Sequence, residues 1–183
     1  HSRAQIVYGI ETDEFEEQVL SLEYELLQCE TVREMSRWIP KCIPAMRCDA
    51  MYLIMDEHMN DFRELSDYYA RHLIEDEEFC VHGYPEKMQM EFAYEDGVVK
   101  ESEETVVEGI FPTFDYTEGG KDFLFLPLHF REHTVGYFVI RNAVYLMEKQ
   151  YLFQVINVLT SAMENLHKKE RLAYLNQVLS ELY

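Results

Sequence analysis

The sequence predicts an α+β fold: an antiparallel sheet of about five to six strands with the N- and C-terminal helices packed on one face. Three observations predict it. Apolar residues recur at helical spacing near both ends of the chain, as Phe15, Val19, Leu22 and Leu26 and as Leu152, Ile156, Leu159, Met163 and Leu166. Between them, Met88, Met90, Phe92 and Tyr94 alternate with Lys87, Gln89, Glu91 and Ala93, as strands with one buried face do. Two more apolar runs, Phe123 to Phe130 and Thr134 to Ile140, flank the short Arg131-Glu132-His133 connection of a hairpin.

The elements follow in order. The first stripe predicts a helix from about Glu11 to Gln28. Thr31-Val32-Arg33-Glu34 reads as a capping box, whose hydroxyl and carboxylate satisfy the free amides of a new helix start. Val32, Met35, Ile39 and Cys42 form the apolar face of that second helix, which Pro40 and Pro44 should end or loosen in its last turn. Ala50 to Met55 is short and continuously apolar, the mark of a strand near the centre of a sheet. Glu95-Asp96-Gly97 should turn the chain into Val98 and Val99. Phe62, Leu65, Tyr69 and Leu73 are spaced for a short helix ahead of the acidic run Glu75 to Glu78.

From about Glu148 to Tyr183 no Gly or Pro interrupts a helical pattern, and 36 residues at ~1.5 Å each reach about 54 Å, more than a small domain spans. The apolar stripe slips register on the way. After Leu166 it resumes at Leu172, six residues on, and continues through Leu175, Leu179 and Leu182. The first part should pack on the sheet, and the second should face another helix as a coiled coil.

Composition narrows the function classes. The 183 residues are 48% hydrophobic and 28% charged, enough for one packed core without disulfide or metal staples. Asp and Glu number 35 against 16 Lys and Arg, a net charge of −19 that repels nucleic acid and anionic membranes. Residues 56 to 108 alone hold 17 acidic and 4 basic side chains. No run approaches the about 20 apolar residues of a membrane span. With no apolar leader at His1-Ser2-Arg3 and no Asn-x-Ser/Thr sequon, the expected compartment is the cytoplasm. Cys29, Cys42, Cys48 and Cys80 form no C-x-x-C pair and read as reduced thiols filling small apolar sites.

Chemistry-bearing patterns are few. His129-Phe-Arg-Glu-His133 matches the H-x-x-E-H order of inverted zinc proteases, but its strand-like flanks put the two histidines on a hairpin rather than one helical turn, so no metal site is expected. The acidic run lacks the ligand spacing of a calcium loop. Gly119-Gly120-Lys121 lacks both the preceding loop glycine and the following hydroxyl of a phosphate-binding loop. Cys80-Val81-His82 could be a thiol beside its base, the basis of an alternative enzymatic reading, with no third residue to orient the base.

Taken with the order helix, helix, strand, excursion, hairpin, long helix, these residues resemble a GAF domain, a bacterial sensory module. Leu126-Pro127-Leu128, followed by a turn and Val135-Gly136-Tyr137-Phe138-Val139-Ile140, resembles the family's proline-leucine strand and its glycine-containing partner; Cys48 to Met55 resembles the first strand after the N-terminal helices. Gly83 to Met88, Phe111-Pro112-Thr113, Leu126 to Phe130 and Gly136-Tyr137 are similar to GAF-like regions preceding GGDEF diguanylate cyclase domains, and Arg171 to Tyr183 resembles the signalling helix that leads into one. The likeness covers about Phe15 to Leu166. The cyclic-nucleotide motif N-K-x-F-D-E is missing, Val81 separates Cys80 from His82 where bilin-binding members join Cys directly to His, and the cysteines of GAF-type methionine sulfoxide reductases are not matched.

The resemblance implies a partition into residues 1–14 as an N-terminal extension, 15–167 as the sensory domain and 168–183 as a signalling helix. It implies a non-catalytic regulatory domain that needs no cofactor. It would pair with a second copy through its terminal helices, with Leu172, Leu175, Leu179 and Leu182 as the seam, and signal to a downstream enzyme such as a diguanylate cyclase. The alternative is a small-molecule receptor with its pocket between the sheet and the excursions at residues 57 to 86 and 101 to 120. His72, Cys80, His82 and Tyr84 are the candidate ligand-binding residues.

Overall fold

The structure is a computed structural model that describes residues 2–56, 84, 87–101, 106–108, 122–130 and 133–183. Helix α1 (Ser2–Gln28) begins well before the expected Glu11. Its inward stripe is the expected one, with Phe15, Val19, Leu22 and Leu26 all buried. Helix α2 (Val32–Met46) starts on the predicted cap: the Glu34 N–H donates to Thr31 Oγ1 at 3.1 Å, and the Glu34 carboxylate accepts from the Glu30 N–H at 2.9 Å, one residue earlier than in the usual reciprocal box. The prolines do not end this helix. It continues through Pro40 and Pro44 to Met46 and stops where Arg47 turns left-handed, φ 51°, with its N–H on Pro44 O.

Strands β1 (Ala50–Asp56), β2 (Lys87–Glu95), β3 (Val98–Glu101), β4 (Val106–Glu108), β5 (Phe123–Phe130) and β6 (His133–Arg141) form one antiparallel sheet. Its order is β3-β2-β1-β6-β5, with β4 also paired to β2, along the stretch Lys87 to Gln89 that β3 leaves open. Strand β1 is central and buried along its whole length, as its continuous apolar sequence requires. Asp96 (φ 48°) and Gly97 (φ 87°) form the two-residue turn between β2 and β3, whose paired positive φ values suit the twist of a hairpin.

One register feature departs from the sequence pattern. Leu53 faces Phe92 but Ile54 faces Met90, so Glu91 is an extra residue on β2, a β-bulge. Phe92 and Tyr94 therefore join the helix-side core, whereas Met88 and Met90 turn to the opposite face. A second bulge lies in the β5–β6 hairpin, where Val135 is skipped between the pairs Leu128–Gly136 and His129–Thr134. That pairing puts His129 and His133 on opposite strands of the hairpin.

Short helix α3 (Val144–Glu148) and a turn at Lys149-Gln150 precede α4 (Leu152–Leu182), so the expected terminal helix is continuous but starts at Leu152 rather than near Glu148. Gln150 makes the break, with φ 62°. Helix α2 packs on β2, α4 packs on β5, and α1 packs on both helices. The core between helices and sheet joins Phe15, Met35, Ile39, Ile43, Met51, Leu53, Phe92, Phe138, Leu159 and Leu166. Phe15 stacks on Tyr151, centroids 3.9 Å apart, and Lys169 Nζ donates to Leu27 O at 2.9 Å. These contacts pair the earlier part of α1 with the start of α4 and its end with a later turn, so the two terminal helices run in the same direction.

Candidate functional site

Two regions carry the residues that the sequence singles out: the sheet face away from the helices, and the far part of α4. On the first, alternation along β1 sends Ala50, Tyr52 and Ile54 outward while Met51, Leu53 and Met55 face the helices. Met88, Ala93, Tyr137 and Val139 join the outward set, all buried, with Met90 and Phe123 packed against them. Tyr84, one of the candidate ligand-binding residues, packs against this face. Its hydroxyl donates to Gly136 O at 3.1 Å, and its ring meets that of Tyr137 edge-on, 5.2 Å between centroids at 64°. His72, Cys80 and His82 lie outside the described residues, as do the expected helix around Phe62 to Leu73 and the acidic run.

Sequence reasoning quotes Tyr137 as part of a motif but misses its role here. Its side chain is 3% exposed, Phe125 lies 6.4 Å away at 42°, and its hydroxyl has no hydrogen-bond partner among the described residues. Burial, with Tyr84 as a smaller contributor, pushes the phenol up to about 12, and burial also raises Tyr84. Both remain neutral donors across the physiological range. The strand glycine before it is forced by packing rather than by turn geometry, because a Cβ on Gly136 would collide with Ile54 O and Met55 Sδ of the adjacent strand. At the end of this face Tyr52 donates to Glu95 Oε1 at 2.6 Å, and Arg141 pairs with Asp96 at 2.9 Å beside the hairpin turn. Burial, then the Glu95 carboxylate, raises the Tyr52 phenol.

No described cysteine is an activated thiol. Cys29, Cys42 and Cys48 are buried and unbridged. Burial pushes Cys42 and Cys48 up to about 11, and burial followed by the Glu34 and Glu25 carboxylates raises Cys29. Cys80, the candidate nucleophile, is outside the described residues. On the helix side, a groove of about 270 Å³ is lined by Glu14, Phe15, Gln18, Lys41, Pro44, Ala45, Arg47 and Tyr145. Lys41 there lies 3.9 Å over the Trp38 ring and Arg47 4.6 Å over Tyr145.

The second region begins where α4 leaves the body. Val155, Leu159, Ala162, Met163 and Leu166 are buried, and Tyr174 is the last side chain packed against the core. Leu172, Leu179 and Leu182 are 60%, 53% and 74% exposed, and Leu175 is half-buried. Six residues at about 100° each turn the helix by roughly 600°, so Leu172 lies about 120° around the helix from Leu166. The register slip is thus a change of face, with a docked stripe ending at Tyr174 and Leu172, Leu179 and Leu182 left in solvent beside the half-buried Leu175.

The chain matches no protein-family model, no curated protein and no solved structure. No helix among the described residues is long and apolar enough to cross a membrane.

Proposed function

We propose that this chain is a GAF-like regulatory domain that pairs with a second copy through its terminal helices and passes a signal along α4 to a downstream output enzyme, a GGDEF diguanylate cyclase in the finer reading. The observation that carries it is the division of α4. Its first part is locked into the core by Val155, Leu159, Met163 and Leu166, and its last part presents Leu172, Leu175, Leu179 and Leu182 in the four-three rhythm of a coiled-coil seam. A helix rigidly seated at one end and apolar along the other transmits rotation or shift of the body to whatever follows it. The parallel run of α1 and α4 supports this, because a signal can enter beside the start of one helix and leave along the end of the other.

A second reading, a small-molecule receptor, is favoured by one observation: the buried face where the Tyr84 ring meets that of Tyr137, whose hydroxyl has no partner among the described residues. Each reading has its own test. For regulation, the chain is joined through Tyr183 to a GGDEF domain and cyclic di-GMP synthesis is compared for the parent and the Leu175→Asp, Leu182→Asp double variant. Because the proposal has the output enzyme act through paired copies, the parent fusion should be active and the variant nearly silent; equal synthesis by both contradicts the proposal. For the receptor, saturable small-molecule binding that survives the leucine changes but is lost with Tyr84→Ala identifies a ligand site on the sheet.

A further inference from the structure

The groove on the helix side lies where α1, the end of α2 and α3 meet, and neither reading above draws on it. Its walls differ in charge. Glu14 and Gln18 come from α1, whereas Lys41 and Arg47 come from the last turns and the cap of α2. Tyr145 adds an aromatic surface, set edge-on to Tyr151 at 6.1 Å, and the buried Phe15, stacked on the same Tyr151 ring, underlies it. At about 270 Å³ the groove falls just under the roughly 300 Å³ at which sites for drug-sized ligands begin, so it fits a smaller molecule.

The cations are held in place there. The Lys41 ammonium lies over Trp38 and the Arg47 guanidinium over Tyr145, ring contacts that orient each side chain. Arg47 also occupies the left-handed position that ends α2, φ 51°, where glycine would meet no steric penalty. A long side chain kept at a strained position points to a use for that side chain. The local charge agrees. Between Thr31 and Cys48 stand four basic side chains and one acidic, against a net charge of −19 for the whole chain. Arg47 has a further contact besides the ring, but among the described residues no ion pair joins Glu14 to Lys41 or Arg47. An acid on one wall and two cations on the other, not paired with each other, match a ligand that carries both charges.

We propose that this groove binds a free α-amino acid with an apolar side chain. Its carboxylate lies between Lys41 and Arg47, its ammonium meets the Glu14 carboxylate and the Gln18 amide oxygen, and its side chain rests against Tyr145 and Pro44. The guanidinium supplies the forked donors that suit a carboxylate. A zwitterion has no net charge, so the acidic surface does not repel it as it repels a simple anion, and a simple cation would face Lys41 and Arg47. The walls are open to water, which screens each contact, so affinity near the millimolar range is expected. The site stands on its own lining and depends on neither the leucine seam nor the outer sheet face.

The test titrates the whole chain with L-phenylalanine and L-leucine, followed by the assigned backbone amide signals in NMR. Each amino acid is compared with its two fragments: 3-phenylpropionate and 4-methylpentanoate lack the ammonium, and 2-phenylethylamine and 3-methylbutylamine lack the carboxylate. Saturable shifts are expected at Gln18, Arg47 and Tyr145 with the amino acids, and the fragments should bind about tenfold more weakly. Glu14→Gln should bring the amino acid down to the level of its acid fragment. Arg47→Gly removes the guanidinium and gives the left-handed position the residue that suits it, so the urea midpoint should hold or rise while binding weakens about tenfold. If that variant folds poorly, Lys41→Met, a change at an exposed side chain, decides the same point. No saturable shift with either amino acid at about 10 mM overturns the proposal, as do fragments that bind as tightly as the amino acids, or binding unchanged in Arg47→Gly and Lys41→Met.

Discussion

Tyr137 shows at the scale of one residue how the sheet's outer face differs from the core beneath the helices. A buried hydroxyl without a partner forgoes a hydrogen bond that water would supply in the unfolded chain. Tyr137→Phe should therefore leave stability unchanged or raise it by about 1 kcal/mol, read as the midpoint of urea denaturation. A loss larger than that would mean the hydroxyl is paired in solution. Its neighbour behaves oppositely: Gly136→Ala drives a methyl into Ile54 O and Met55 Sδ and should cost about 1–3 kcal/mol, or part the strands. Gln150 is a third case, held left-handed at an exposed turn where glycine meets no steric penalty, so Gln150→Gly should raise the midpoint slightly, by about 0.5 kcal/mol. The thiols give a chemical check. With Cys42 and Cys48 pushed up to about 11, neither should react measurably with iodoacetamide at pH 7.5 in the folded chain, and both should react once urea unfolds it.

The elements differ in how far local sequence determines them, and that difference sets what could be read in advance. The start of α2 is legible because a capping box is made by neighbours in the chain, and Thr31→Ala should cost about 1 kcal/mol of stability in the same denaturation assay. The Asp96-Gly97 turn is legible for the same reason. The end of α2 is not: Pro40 and Pro44 each remove only one amide donor, and the face Met35, Ile39, Cys42, Ile43 and Met46, buried against the sheet, holds the helix together past them. On β2 the alternation is read correctly and its meaning misjudged, because the bulge at Glu91 sends Met88 and Met90 to the face opposite Phe92 and Tyr94 instead of leaving all four on one face. A bulge is set by pairing with β1, which a single segment does not contain. Tyr137 belongs to the same class, since whether its hydroxyl finds a partner depends on tertiary cover. The change of face along α4 was legible as a six-residue slip, because both stripes lie within one helix and need no tertiary partner to be seen.

Across the whole molecule, the division of labour between the two sheet faces is the main result. One face carries α2 and α4, with α1 laid over both, and it fixes the terminal helices relative to each other. The other is an aromatic and aliphatic surface at which Tyr84 and Tyr137 meet. The net charge of −19 acts on association as well as on partners: two copies repel at low ionic strength, so pairing through the leucine seam should strengthen with salt. Light scattering at 0.05 and 0.5 M sodium chloride checks this, with a rising dimer fraction expected for the parent and a monomer at both for the Leu175→Asp, Leu182→Asp variant.

The account depends most on α4 carrying phase information from body to output. Inserting one residue after Tyr174, just past the last docked side chain, rotates everything beyond it by about 100°, whereas inserting seven nearly restores the original phase. The decisive measurement is cyclic di-GMP synthesis by the chain fused through Tyr183 to a GGDEF domain, compared for the parent and these two insertions. The account predicts that the single insertion shifts activity several-fold and the heptad insertion returns it close to the parent. Equal activity in all three would make α4 a passive tether and contradict it.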